Sequence, residues 1–195
     1  MTDLRSLVIP GLWLFWALYW FIAAQSAKPV ERRESAASRA AHVVPLAIAA
    51  WLLISPRLPK VLAYHWLVAT SAWQLVGSVA VLSGIAIAVW ARRVLGRNWS
   101  GSVTVKQEHE LIVAGPYRIV RHPIYTGLLL ALAGTALARG NVAGVLAFVI
   151  ATAALWRKLR LEEQWMRETF GAGYANYAAV VPALVPFVRR RQVAE

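Results

Sequence analysis

The sequence predicts an all-α fold: a polytopic membrane helical bundle of about five transmembrane helices, with a polar C-terminal region on one face. Three observations carry that expectation. Of the 195 residues, 59% are hydrophobic, well above an ordinary soluble domain. The apolar residues gather in runs close to the ~20 that cross a bilayer. The ten tryptophans suit a chain with two membrane–water interfaces, where Trp collects. The chain contains no cysteine, which excludes disulfides, thiolate nucleophiles and Cys–zinc centres. A net charge of +12 would point to nucleic acid in a soluble chain. Here the basic residues flank apolar runs, so the lipid bilayer is the expected partner and nucleic acid is not.

Taken in order, 7–27 is long enough to span, and no A-x-A cleavage signal follows it. A charged loop follows at 28–39. The second helix, 41–55, is shorter and closed by Pro56 and Pro59. The apolar, aromatic stretch 61–69 lies in the interface or extends the next helix. The third span is 70–90, and 92–121 is a long polar segment. Within it, 102–106 (SVTVK) alternates like a short strand. Two short helices, 123–138 and 142–156, are separated only by 139–141. Each rises about 23 Å, short of the ~30 Å hydrocarbon core. Such a pair is a hairpin that thins or incompletely crosses the membrane, or a pair packed within a bundle. Gly127, Ala131, Gly134, Thr135, Gly140 and Gly144 would bring those two backbones close together. From Arg157 the chain turns amphipathic and charged. It reads as a cytosolic helix, a break at Gly171–Gly173 and a short second helix. The whole chain, 1–195, is one membrane domain, with a candidate ligand region at 95–127 plus 157–187.

Charge sets the orientation. With the C-terminus inside, seventeen Lys and Arg lie on inner segments and four (Arg5, Arg57, Lys60, Arg139) on outer ones. By the positive-inside rule the N-terminus is outside. The polar central segment and the charged C-terminal helix then share the cytoplasmic face.

Candidate chemistry concentrates in His109–Gly127. His122 precedes Pro123, which is placed to open a helix, because a residue before proline is pushed toward extended geometry. A helix start flanked by Arg121 and His122 is a ready anion site; the same stretch also reads as a basic juxtamembrane loop. Glu162 and Glu163 follow the last apolar helix amid Arg157, Lys158 and Arg160. Arg160–Glu163 and Glu163–Arg167 can pair along one helix face. Those carboxylates read equally as a solvated, salt-bridged surface or as a site for a cation or a ribose hydroxyl. Gly171-Ala-Gly173 follows a helix and lacks the third glycine, so it is no dinucleotide loop. Asn98-Trp-Ser100 is a glycosylation sequon on the predicted cytoplasmic side. The four histidines show no metal-ligand spacing, and no metal is expected.

These motifs occur in an ordered set: N-W-S at Asn98, H-E-L-I at His109, G-P-Y at Gly115, R-H-P-I-Y-T-G at Arg121, E-E at Glu162, F-G-x-x-Y at Phe170 and Val-Pro…Val-Pro-Phe at Val181–Phe187. From Leu95 to Phe187 the chain resembles the isoprenylcysteine carboxyl methyltransferase and phospholipid methyltransferase superfamily of integral membrane enzymes. The resemblance implies S-adenosylmethionine as cofactor, bound by His109, Glu110, Leu111, Ile112, Tyr117, Arg121, His122, Pro123, Ile124, Tyr125, Glu162 and Glu163. It implies Glu162, with Lys158 or its neighbour Arg160 toward an acceptor carboxylate, as the catalytic candidates. The cofactor's carboxylate suits Arg121, His122 and the start of the Pro123 helix. Its cationic end suits Glu162 and the faces of Tyr117, Tyr125 or Trp165. The implied partner is a small amphiphilic or lipid acceptor, methylated on a carboxylate. Methylation of a phospholipid amine, NADPH-dependent reduction of a sterol-type lipid and a non-catalytic membrane scaffold are the rival readings.

Overall fold

A computed structural model describes residues 4–26, 28–68, 70–99, 102–106 and 110–186. The elements are α1 (Leu4–Ala24), β1 (Val30–Arg33), α2 (Ala36–Ile54), α3 (Lys60–Ala63), α4 (Ser71–Leu95), β2 (Thr104–Lys106), α5 (Pro123–Arg139), α6 (Val142–Phe170) and α7 (Ala172–Val180). Helices α1, α2, α4 and α6 are long and apolar enough to cross a membrane, and α5 is a shorter apolar helix. The protein is an all-α integral membrane bundle.

Local chemistry explains where the helices begin. Ser35 caps α2, its hydroxyl accepting the Ser38 N–H at 3.1 Å. The helix therefore starts at Ala36, five residues earlier than the expected 41, and Arg39 belongs to it and not to a loop. Thr70 caps α4, accepting from Trp73 N–H, and the helix runs on to Leu95 beyond the expected 90. It can do so because Arg92 turns inward. Arg92 hydrogen-bonds the carbonyls of Gly96 and Ala23 and lies 4.6 Å above the Trp99 ring. The loop expected at 28–39 contains β1, which pairs antiparallel with β2; the alternation at 102–106 thus finds its partner there.

The largest correction concerns α6. It does not stop at Trp156 but continues unbroken to Phe170, 29 residues or about 43 Å. No Gly or Pro lies between Trp156 and Phe170, so a change from apolar to amphipathic patterning alters what the helix faces without ending it. It crosses the core with length to spare and carries Lys158, Glu162 and Glu163 on its extension. The loop to α5 is tight as expected. Gly140 is left-handed at φ +61°, and Asn141 caps α6 by accepting the Gly144 N–H at 2.9 Å.

The small-residue stripe also meets a different partner. Gly127 and Gly134 of α5 face Gly84 and Gly77 of α4, and not α6. A Cβ built at Gly77 would lie 2.6 Å from the Gly134 carbonyl oxygen, and one at Gly84 would strike the carbonyl of Gly127. The α4 and α5 backbones are therefore in contact, a packing that only glycine permits. Gly144 alone of that set approaches across the hairpin, toward Ala136. On the outside of this pair, α1 lays Trp13 and Trp16 against Val81 and Ile85, and the Trp13 indole donates to Thr135 Oγ1 at 3.0 Å.

Candidate active site

At the end of the bundle where α5 begins and α6 becomes charged, a cavity of about 270 Å³ opens. Its polar side is built by residues that helical spacing projects together. On α6, Lys158 and Glu162 lie one turn apart, with Nζ 3.8 Å from Glu162 Oε1. On α5, Tyr125 donates its hydroxyl to the same oxygen at 2.6 Å. The Lys158 ammonium sits 5.6 Å from the Tyr125 ring centroid. The His122 imidazole stacks on Tyr125 with the rings parallel and 5.5 Å apart. Its Nδ1 is 3.6 Å from Glu162 Oε2 and its Nε2 3.3 Å from Glu163 Oε1. Glu162 keeps 22% of its side chain exposed, so of the two adjacent glutamates it is the one that a ligand can reach.

Glu163 points away from the cavity into a second network. Arg121 directs Nε to Glu163 Oε1 at 2.8 Å and Nη2 to the same oxygen. Its Nη1 caps the carbonyls of Ala178 and Val181 at the end of α7. Arg167 reaches Glu163 Oε2 at 3.5 Å. The backbone N–H groups of Arg121 and His122 go to the carbonyls of Pro182 and Ala183, and Thr126 Oγ1 donates to Leu184 O at 2.7 Å. The Val-Pro tail motif thus folds back over the start of α5. Arg121, expected at an anion cradle, directs these donors to the tail and to Glu163.

Tyr177 of α7 donates to the carbonyl of Tyr117 at 2.6 Å. Tyr117 itself stands in a single 3₁₀ turn at Gly115–Arg118. Burial pushes both phenols up, Tyr177 to about 12. Both hydroxyls therefore stay protonated through the working pH range.

Of the residues singled out from sequence, Glu110, Leu111, Ile112, Tyr117, Arg121, His122, Ile124, Tyr125, Lys158 and Glu162 border the cavity. Glu110 stands at its exposed edge, 3.7 Å from Lys28. Pro123 is buried as the first residue of α5, and Glu163 lies behind the site. Arg160 is exposed and does not border the cavity; among the described residues no ion pair joins it to Glu163. Trp165, expected as a cation–π surface for a ligand, is buried beneath Arg32 instead, whose guanidinium lies 4.2 Å from its ring centroid. His109 lies outside the described residues.

Sequence reasoning missed the apolar wall. Trp16 and Trp20 of α1, Leu46 of α2 and Trp99 complete the cavity with Leu95, Leu128 and Leu155. The Trp13, Trp16, Trp20 spacing, three and then four residues, marks one helix face and was the available signal. Tyr174 and Tyr177 also border the cavity; Tyr174 is the last residue of the F-G-x-x-Y motif and Tyr177 lies three residues on, on the same helix face.

Comparison with known proteins bears on this geometry. The profile of the phospholipid methyltransferase family matches residues 72–173. The chain is similar to protein-S-isoprenylcysteine O-methyltransferase B of Arabidopsis thaliana, 30% identical over 133 residues, 65% of this chain and 64% of that one. It is similar to a probable protein-S-isoprenylcysteine O-methyltransferase of Oryza sativa subsp. indica, 35% identical over 119 residues, 58% and 61% of the two chains. A shorter stretch is 45% identical over 78 residues to methanethiol S-methyltransferase 2 of Bradyrhizobium diazoefficiens, 38% of this chain and 29% of that one. The matched region thus covers less than two thirds of each relative's length.

Proposed function

The chain belongs to the phospholipid methyltransferase family, and on that premise we propose that it transfers a methyl group from S-adenosylmethionine to an amphiphilic acceptor, most favourably a carboxylate. The observation that carries this reading is the two-sided cavity. One side offers Glu162, Tyr125, His122 and Lys158; the other offers tryptophan and leucine. S-Adenosylmethionine would supply an electrophilic methyl on a sulfonium. The residues present fit such a ligand: Glu162 and the tyrosine faces suit its cationic end, and Leu111 and Ile112 give an apolar wall for its base. Lys158, the one Lys or Arg of α6 bordering the cavity, is the group we assign to the acceptor's anionic head. Lys158 and Glu162 are thus the catalytic candidates, and Arg160 is dropped from that role.

Methyl transfer is an in-line displacement at carbon, so alignment in a dry site is the main requirement. A carboxylate oxygen forms the new bond to the methyl as the carbon–sulfur bond breaks, with no proton to remove. A thiol acceptor is the second reading, favoured by the 45% identical methanethiol S-methyltransferase stretch. That acceptor would lose a proton, and Glu162 is the carboxylate placed to take it.

The test is radiolabelled methyl transfer by purified protein to a panel of acceptors. The panel comprises a small S-prenylated thioether acid, the same acid without its tail, phosphatidylethanolamine and a short alkyl thiol. The prenylated acid should be methylated first. Equal activity on the tail-less acid would sink the amphiphile reading. Transfer to ethanolamine alone, or to the thiol alone, would reassign the acceptor, and NADPH oxidation without methyl transfer would reassign the reaction. The excess of Lys and Arg beside the polar side supports a cavity open to the cytoplasm. In intact cells a membrane-impermeant thiol reagent should then label Pro59→Cys and spare Arg160→Cys; the reverse pattern would invert the topology.

A further inference from the structure

Glu34 stands between β1 and α2, outside the segment matched by the family profile. Its side chain is only 1% exposed. A carboxylate withdrawn from water is costly unless donors replace the lost hydration. Glu34 Oε1 accepts the Val103 N–H at 3.1 Å, and Oε2 accepts the Ser38 hydroxyl at 2.9 Å. Its own N–H donates to the Val103 carbonyl at 3.1 Å. His42, 2% exposed, sets Nε2 3.4 Å from Oε1 and closes the fourth side.

These contacts converge on the proposed site. Val103 and Thr104 form part of the cavity wall, as does Lys158. Ser38 is also gripped from α6: Arg157, the residue before Lys158, donates to the Ser38 carbonyl at 3.0 Å and to its hydroxyl at 3.3 Å. The carboxylate therefore joins the β-ribbon wall directly to the start of α2, and Ser38 carries the connection on, through Arg157, to the turn of α6 bearing Lys158. The ribbon's own ties to α6 run through Arg32, which pairs with Glu168 at 2.9 Å and lies over the Trp165 ring; the Arg32–Glu168 pair, like the Arg157–Ser38 bonds, is solvent-exposed, the kind of contact that contributes little.

We propose that Glu34 is a positioning residue for the methyltransferase site, a buried latch that holds the Val103–Thr104 wall closed over the cavity. The inference rests on the methyltransferase reading for what the cavity binds, and on geometry alone for the latch. Because the chain lacks cysteine, a single Val103→Cys reports the wall directly. Its thiol should react slowly with a maleimide in the otherwise native protein. Adding Glu34→Ala should speed alkylation about tenfold or more, the range for losing buried hydrogen bonds to a charged group. Glu34→Gln keeps an oxygen for Val103 and an amide for Ser38, so it should stay near the native rate. Asn141→Ala, which removes the α6 cap at the far end of that helix, controls for simple destabilisation and should leave the rate unchanged. In the binding arm, Glu34→Ala in the native background should weaken S-adenosylhomocysteine about tenfold, with Glu34→Gln restoring most of the affinity. Alkylation equal in all variants overturns the latch. Faster alkylation with unchanged affinity overturns the positioning role. A native protein that binds no S-adenosylhomocysteine overturns the methyltransferase reading instead, while the cysteine rates still decide the latch.

Discussion

Replacing Glu163 by Gln removes the carboxylate from a network that is almost dry: the Arg121 side chain is 2% exposed and that of Glu163 6%. Arg121 would keep its bonds to the carbonyls of Ala178 and Val181, but its charge would lose the only carboxylate it pairs with among the described residues. Breaking a buried ion pair outright costs about 3–5 kcal/mol, because the surviving charge is left uncompensated. Gln retains a hydrogen-bonding oxygen, so the loss should fall near that for a charged hydrogen bond, about 1.5–3 kcal/mol. In a chain of this length each kcal/mol shifts the melting temperature by roughly 2–4 °C, and Glu163→Gln should therefore lower it by roughly 3–12 °C in detergent. Glu163→Ala should cost more, and Arg167→Ala little, since Arg167 is 52% exposed. Glu162→Gln should behave in the opposite way. Its melting temperature should change little, while calorimetry should show S-adenosylhomocysteine binding weakened by about 1.5–3 kcal/mol. If Glu163→Gln melts normally but loses ligand affinity as Glu162→Gln does, the division between a binding and a structural glutamate is wrong.

Lys158→Ala should raise the acceptor KM and leave cofactor-analogue affinity nearly intact, whereas Arg160→Ala, outside the cavity, should change neither; steady-state kinetics on both variants separates them. Gly84→Val forces a side chain into the carbonyl of Gly127, so it should destabilise by at least about 1–3 kcal/mol, and a normal melting curve would contradict backbone contact between α4 and α5. Tyr177 has its pKa raised in the folded state, to about 12, mainly by burial. Its contribution is thus fully present below the unfolded value near 10 and is lost as pH rises through about 12. The native melting temperature should fall across that window, and Tyr177→Phe should flatten the fall.

The helices were legible because each apolar run is long and bounded by Pro, Gly or charge. Their ends were less legible. Ser35 signals a cap, yet Arg39 after it drew the reading toward a loop. The run Trp156–Phe170 offers no breaker, and only its change of polarity suggested a boundary that the backbone does not recognise. In the candidate site, His122, Tyr125 and Glu162 could be singled out from their motifs and the Glu163–Arg167 pairing from helical spacing, but spacing alone does not fix which glutamate meets the cavity. Adjacent residues on a helix point about 100° apart, and which one meets the cavity depends on how α6 is rotated against α5. Packing sets that rotation. Arg121 looked like a ligand donor for the same reason: nothing local to it reveals that Glu163, forty-two residues away, and the tail at Val181 use its donors. The β-ribbon and the tryptophan wall required knowing which distant segments become neighbours.

The glycine contact between α4 and α5 has a consequence for traffic within the membrane. Where two helix backbones touch, no gap remains for a hydrocarbon chain to slip through, so that flank of the bundle is a closed wall to lipid diffusing in the bilayer plane. An amphiphile approaching from the bilayer must pass elsewhere, and the cavity's apolar lining from α1 and α2, with Trp16, Trp20 and Leu46, marks the side on which a doorway can exist. Four glycines at a helix contact would then fix the compass direction from which such an amphiphile could enter.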